Sequence, residues 1–185
     1  MEQRQSRLLD FVKLQHGNQL RKYDNTPYWW HLLNVAKKAD KHVKLGFEVG
    51  LCHDLFEDTE CRYLSLFMFL ISNNYSIKES FQIVYSAYQL TDRYTKERYP
   101  KLNRKARKAL ECKRLGKTSY LAQTVKYSDL IDNSRSIVAR DKNFAVVYIK
   151  EKRNILDKMR KGNIDLLIEC CEVIAKSQRE INIHK

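Results

Sequence analysis

His53 and Asp54 are adjacent, and no other feature constrains the fold of this chain so tightly. Neighbours on an ideal helix point about 100° apart, so both reach one ion only beside a helix end. His31 precedes the pair and Asp129 follows at long range, giving the order His, His-Asp, Asp. Imidazole with carboxylate suits a borderline or hard divalent ion such as Mn²⁺, Fe²⁺ or Zn²⁺. Two His and two Asp leave positions open on an ion that prefers more ligands, as a catalytic rather than a structural site requires. A fold serving this set delivers His53-Asp54 near a helix end and brings His31 and Asp129 from other helices.

The rest of the chain reads as helices. Apolar residues recur at helical spacing over residues 8–14, 29–43 and 47–56, the last carrying His53-Asp54 near its end. Residues 64–71 are strongly apolar and are expected to be buried. Ser76 with Glu79 has the capping-box pattern and opens a helix through Leu90. Residues 118–138, 144–159 and 164–181 are the last long helices, and 164–181 is apolar enough to pack in the core or between subunits. Residues 21–27 read as a loop and 91–103 as a loop or a frayed helix, each polar or charged and containing Pro. Five Gly and two Pro are too few for a turn-rich β fold. A chain of 185 residues buries about 70% of its unfolded surface. With no repeat, linker or low-complexity tract, the expectation is one all-α helical-bundle domain spanning 1–185.

No run of about 18 apolar residues occurs, and the polar N-terminus lacks the apolar stretch of a signal peptide. Cys52, Cys61, Cys112, Cys170 and Cys171 are odd in number and lack CxxC spacing, which fits thiols in a reducing cytoplasm. The formal net charge of +13 attracts polyanions, either nucleic acid or a highly phosphorylated nucleotide. The run Arg104-Lys105-Ala106-Arg107-Lys108 fits a solvated helix face, and no zinc finger or RNP-type aromatic motif accompanies it. His16, His42 and His184 have no carboxylate constellation and are read as surface residues.

Glu57 lies four residues beyond His53, and Asp58 four beyond Asp54, so each pair shares a face if the helix continues. A carboxylate one turn from a metal ligand can deprotonate an attacking water and later protonate a leaving oxygen. Asp129 and Asn133 also share a helix face, with Arg135 nearby; an amide and a guanidinium suit phosphate or nucleotide recognition. Arg21, Lys22 and Lys101 add cations that can hold phosphates.

Four segments resemble the HD-type hydrolase domain of the RelA/SpoT alarmone enzymes, especially the small alarmone hydrolases. They are Arg21-Lys22 with Thr26-Pro27-Tyr28-Trp29-Trp30-His31 and Val35-Ala36, Cys52 through Thr59, Leu90-Thr91-Asp92 with Pro100 through Lys105, and Lys126 through Arg135. The chain departs from the family pattern at Leu32, where Pro is usual, and at Asn103, where Glu is usual. The resemblance implies an all-helical Mn²⁺ enzyme that removes the 3′-pyrophosphate of (p)ppGpp. It implies His31, His53, Asp54 and Asp129 as metal ligands, with Glu57 and Asp58 positioning the attacking water and managing its proton. By the same resemblance Arg21 contacts the base, Lys101 faces the phosphates, Asn133 the ribose and 3′-phosphate, and Tyr148 the base or ribose.

The expected function is therefore hydrolysis of an alarmone, (p)ppGpp or (p)ppApp, by a cytoplasmic enzyme of the stringent response. The alternatives are an HD phosphohydrolase of a dNTP or nucleoside monophosphate, and a basic nucleic-acid-binding helical protein with a structural metal. Oligomeric state stays open.

Overall fold

The structure is a computed structural model and describes residues 1–22 and 25–183, with side chains through residue 181. Tyr23 and Asp24 of the first loop, and His184, lie outside the described residues. The chain divides into two compact helical units, Met1–Thr91 and Asp92–Lys185. Among the described residues no strand forms; the one extended pairing is an isolated bridge between Leu20 and Pro27. No helix among them is long and apolar enough to cross a membrane.

The first unit contains α1 (Gln3–His16), α2 (Trp29–Asp40), α3 (Gly46–Cys52), α4 (Leu55–Asp58), α5 (Tyr63–Ser72) and α6 (Ile77–Leu90). All seven residues of α3 are buried, and α1, α2 and α6 pack around it. Small residues let α2 and α3 approach closely. A Cβ added at Gly50 would stand 2.5 Å from the Ala36 Cα, and one at Gly46 would stand 2.5 Å from the Ala39 carbonyl oxygen. This contact seats the segment that ends in His53 against the helix that carries His31. At the far side, Ser76 and Glu79 cap α6 reciprocally, as the sequence pattern requires.

The second unit contains α7 (Arg104–Leu115), α8 (Tyr120–Arg140), α9 (Lys142–Lys158) and α10 (Ile164–Ile183). α8 is buried along most of its length, with α9 and α10 packed on it and α7 on α9. Asn103, Ser119 and Asp141 accept from the backbone N–H three residues on, which fixes where α7, α8 and α9 begin. Asn103 is one of the departures from the family pattern, and its place is this cap.

Two expectations need correction, and one helix goes beyond what the sequence reading assigned. Residues 47–56 are not one helix: the chain breaks at His53-Asp54, with Asp54 at φ −104° and ψ −1°. Residues 64–71 do form a helix, but only Leu66 and Leu70 of it are buried, and Leu64 and Met68 face outward. Residues 104–115 form α7 beyond the short basic run, because the Asn103 cap is followed by good helix formers.

Gly50 supplies a direct test. Alanine normally stabilises a helix interior over glycine by about 1 kcal/mol. Here overpacking against backbone reverses the sign, and Gly50→Ala is expected to cost about 1–3 kcal/mol, read from the midpoint of denaturant unfolding.

Candidate metal centre

His31 on α2, and His53 and Asp54 at the break between α3 and α4, each bring one ligand atom to within 4.8 Å of the others. His53 Nε2 lies 3.0 Å and His31 Nε2 3.9 Å from Asp54 Oδ2. Both imidazoles are almost wholly buried, each 1% exposed, and Asp54 is partly open. The helix break makes this convergence possible. It turns Asp54 off the line of α3 and lets it start α4, whose Glu57 and Asp58 amides donate to the Asp54 carbonyl. The His53 Nδ1 lies 2.8 Å from the Gly50 carbonyl oxygen, which can only accept, so Nδ1 carries the proton. Nε2 is then the lone-pair nitrogen facing the cluster, the tautomer a metal ligand needs. The donor set fits a divalent cation.

Three side chains that sequence reasoning passed over support the carboxylates. The Tyr28 hydroxyl donates to Asp54 Oδ2 at 2.6 Å, and its ring meets His31 edge-on. Gln19 Nε2 donates to Asp58 Oδ2 at 3.2 Å while its Oε1 lies 2.6 Å from His16 Nδ1. Backbone pairing explains how one short segment reaches both acids: Tyr28 N–H donates to the Gln19 carbonyl, and Arg21 N–H to that of Thr26. His16 is a further correction, since it is buried at 6% exposure and stacks on Tyr28, whereas a surface position was expected. Its burial follows from being the fourth member of the inward stripe of α1, after Leu8, Leu9 and Val12. Tyr28 was legible as the residue one turn before His31; nothing local marked His16 or Gln19.

Glu57 and Asp58 occupy the single turn of α4. The break means that the Asp54–Asp58 relation follows helical geometry, whereas His53 and Glu57 do not lie on one continuous helix. The Asp58 carboxyl is raised above its ordinary value, first by desolvation and then by the charge of Asp54.

The remaining candidates lie in the second unit, apart from Arg21 and Lys22. Asp129 is buried on α8, with Lys126 Nζ 2.7 Å from its Oδ2 and Asn133 Nδ2 donating to its Oδ1 at 2.5 Å. Tyr148 on α9 is buried, its hydroxyl pushed well above its ordinary value by burial and then by the charge of Asp129. Arg135 is exposed and pairs with Glu169 of α10 at 3.4 Å, so it does not join Asn133 on the Asp129 face. Lys101 is exposed in the loop before α7. Arg21 is half-buried and Lys22 exposed in the segment before α2.

No family model and no curated protein matches this sequence. Among solved structures, a metazoan ortholog of SpoT, described as hydrolyzing ppGpp and playing a role in starvation responses, superposes with a TM-score of 0.76. The match covers 95% of this chain and 96% of that one at 20% sequence identity. The fold is the all-α HD-domain fold. In it the His31, His53 and Asp54 cluster stands as a metal-binding constellation built from residues of this chain.

Two outcomes test the geometry. Losing the Tyr28 hydroxyl removes a short hydrogen bond that orients Asp54, so Tyr28→Phe is expected to weaken Mn²⁺ binding about 10–100-fold with the fold intact, measured by calorimetric titration. In the metal-stripped protein, the raised Asp58 pKa means that ionising this group opposes folding. The penalty is absent below the unfolded value of 3.8 and full above the raised folded value, so Asp58→Asn should raise the melting temperature at neutral pH. That gain should shrink as pH falls toward the ordinary aspartate range.

Proposed function

We propose that this protein is a Mn²⁺-dependent pyrophosphohydrolase that removes the 3′-pyrophosphate of an alarmone nucleotide, (p)ppGpp or (p)ppApp. The observation that carries the reading is the His31, His53 and Asp54 cluster with the Glu57-Asp58 turn directly after it. The likeness to the fold of the ppGpp-hydrolyzing SpoT ortholog supports it. On this reading Asp129 is the fourth ligand, and the chain acts as one catalytic domain in the cytoplasm.

When bound, the cation supplies Lewis acidity, lowering the pKa of water and neutralising phosphate charge. The residues of the chain do the rest. His31, His53 and Asp54 hold the cation, and Tyr28 fixes the rotamer of Asp54. Water attacks the phosphorus attached to the ribose 3′-oxygen, that P–O bond breaks, and the products are pyrophosphate and a nucleotide with a free 3′-hydroxyl. Glu57 accepts the proton of the attacking water. Asp58, held by Gln19 and more basic than an ordinary aspartate, passes a proton to the departing 3′-oxygen. Arg21, Lys22 and Lys101 attract phosphates, while Asn133 and Tyr148 contact the sugar and base.

The basic run does not favour the nucleic-acid alternative. On α7, Arg104 is paired with Glu151, Lys108 with Asp92, and Arg107 donates to the Leu102 carbonyl, so the stripe is largely occupied.

The test is pyrophosphate release from ppGpp, ppApp and dGTP by metal-stripped protein with and without Mn²⁺. Release from one or both alarmones, only with Mn²⁺, and none from dGTP is expected; silence on both alarmones would overturn the proposal. His53→Ala and Asp54→Ala should lose both metal and turnover while folding normally. Glu57→Ala should keep the metal and lose about 10²–10⁴-fold in rate.

A further inference from the structure

α5 is strongly apolar yet turned partly outward. Leu64 and Met68 stand one turn apart on its exposed side, and Ile77, Phe81 and Tyr85 recur every four residues along the exposed side of α6. Tyr63 at the start of α5 meets Tyr88 near the end of α6, ring centres 5.1 Å apart, so the two helices run antiparallel and their exposed sides adjoin. From Tyr88 the rings continue to Tyr85 at 6.5 Å and on to Phe81 at 5.7 Å, the last pair stacked. Half-buried Phe67 and Ile71 follow Tyr63 in four-residue steps, on the side of α5 that turns toward α6. The two helices thus present one continuous face.

Size separates this face from a scatter of surface apolar residues. Tyr63, Leu64, Met68, Ile77, Phe81 and Tyr85 are each between 46% and 74% exposed. Large side chains carry about 150–250 Å² each, so six of them at this exposure present roughly 700 Å². The largest patch on an ordinary monomer is about 300–600 Å², and a stable complex takes about 800 Å² from each partner. The face exceeds the first and nearly meets the second.

Charge selects the partner. From Arg62 to Leu90 the only charged residues are Arg62, Lys78 and Glu79, in a chain that is 31% charged. Glu79 is engaged in the α6 cap and with Arg4. Two copies of a chain with net charge +13 repel over most of their surface. They close only through a face that carries almost no charge, and this one meets that condition. A lipid surface would instead call for a basic fringe beside the apolar face, which Arg62 and Lys78 alone do not supply.

We propose that the α5–α6 face is the interface through which this chain pairs with a second copy of itself. A two-fold pair sets the face on its own image and buries about 1,400 Å² in all, within the standard range. Tyr, Phe and Met are among the residue types enriched at such interfaces, and Lys and Glu among those depleted. The inference is independent of the reaction, because it rests on this face and not on the metal centre.

The experiment is sedimentation equilibrium of the whole protein up to about 100 μM, since interfaces of this size bind at micromolar strength or tighter. A dimer is expected. Phe81→Lys and Met68→Lys should each weaken it about a hundredfold or more, because a substitution enters a two-fold interface twice and strands both charges there. Both positions are exposed in the single chain, so the circular dichroism spectrum should not change. Either variant decides the matter should the other fail to fold. Ile168→Lys, at an exposed position of α10, should leave the dimer intact. A protein that stays monomeric would overturn the interface. So would a dimer indifferent to both variants, or one weakened equally by Ile168→Lys. Flotation of a monomer with anionic phosphatidylserine vesicles, lost in Phe81→Lys, would overturn it in favour of a lipid surface.

Discussion

The close approach of α2 and α3 is the constraint on which the candidate site depends. Gly50 against Ala36, and Gly46 against Ala39, bring two helix backbones nearer than any pair of larger residues allows. Dense packing transmits small changes in spacing over a helix length. A shift of even a methyl group between these helices would move His31 relative to His53, and a metal centre tolerates little such displacement. The full burial of α3 and the position of its C-terminal histidine are thus two consequences of one contact.

The second constraint is electrostatic. Asp54 and Asp58 bring two carboxylates to one short turn, where desolvation and then the charge of Asp54 raise the cost of ionising Asp58. The segment before α2 answers that cost with neutral donors, Tyr28 on Asp54 and Gln19 on Asp58, and buried His16 touches both of them. Neutral donors hold both acids in place without neutralising either, so the acids keep their charge for a cation and for proton transfer. In the other unit the chemistry has the opposite sign, with cations gathered around Asp92 and Asp129.

Much of this was legible in the sequence, because the chemistry is carried by short motifs and the helices by regular periodicity. His31, His53 and Asp54 come together as the ligand order implied, and capping at Ser76 follows its local pattern. What stayed hidden depends on tertiary geometry. Periodicity ran smoothly through residues 47–56, yet the chain breaks at His53-Asp54, since one ion cannot be served by two neighbours on an unbroken helix. His16 read as a surface residue because its partners, Gln19 and Tyr28, meet it only after the chain reverses. Sequence spacing gave no sign that Arg135 pairs with Glu169 of α10.

The α2–α3 contact and the break after it bring His31, His53 and Asp54 together as a single cation site. Crystals grown with Mn²⁺, with anomalous diffraction recorded at the manganese edge, test this most directly. One strong anomalous peak is expected within coordination distance of both imidazole Nε2 atoms and the Asp54 carboxylate. A manganese peak elsewhere, or a cluster without any, would contradict it.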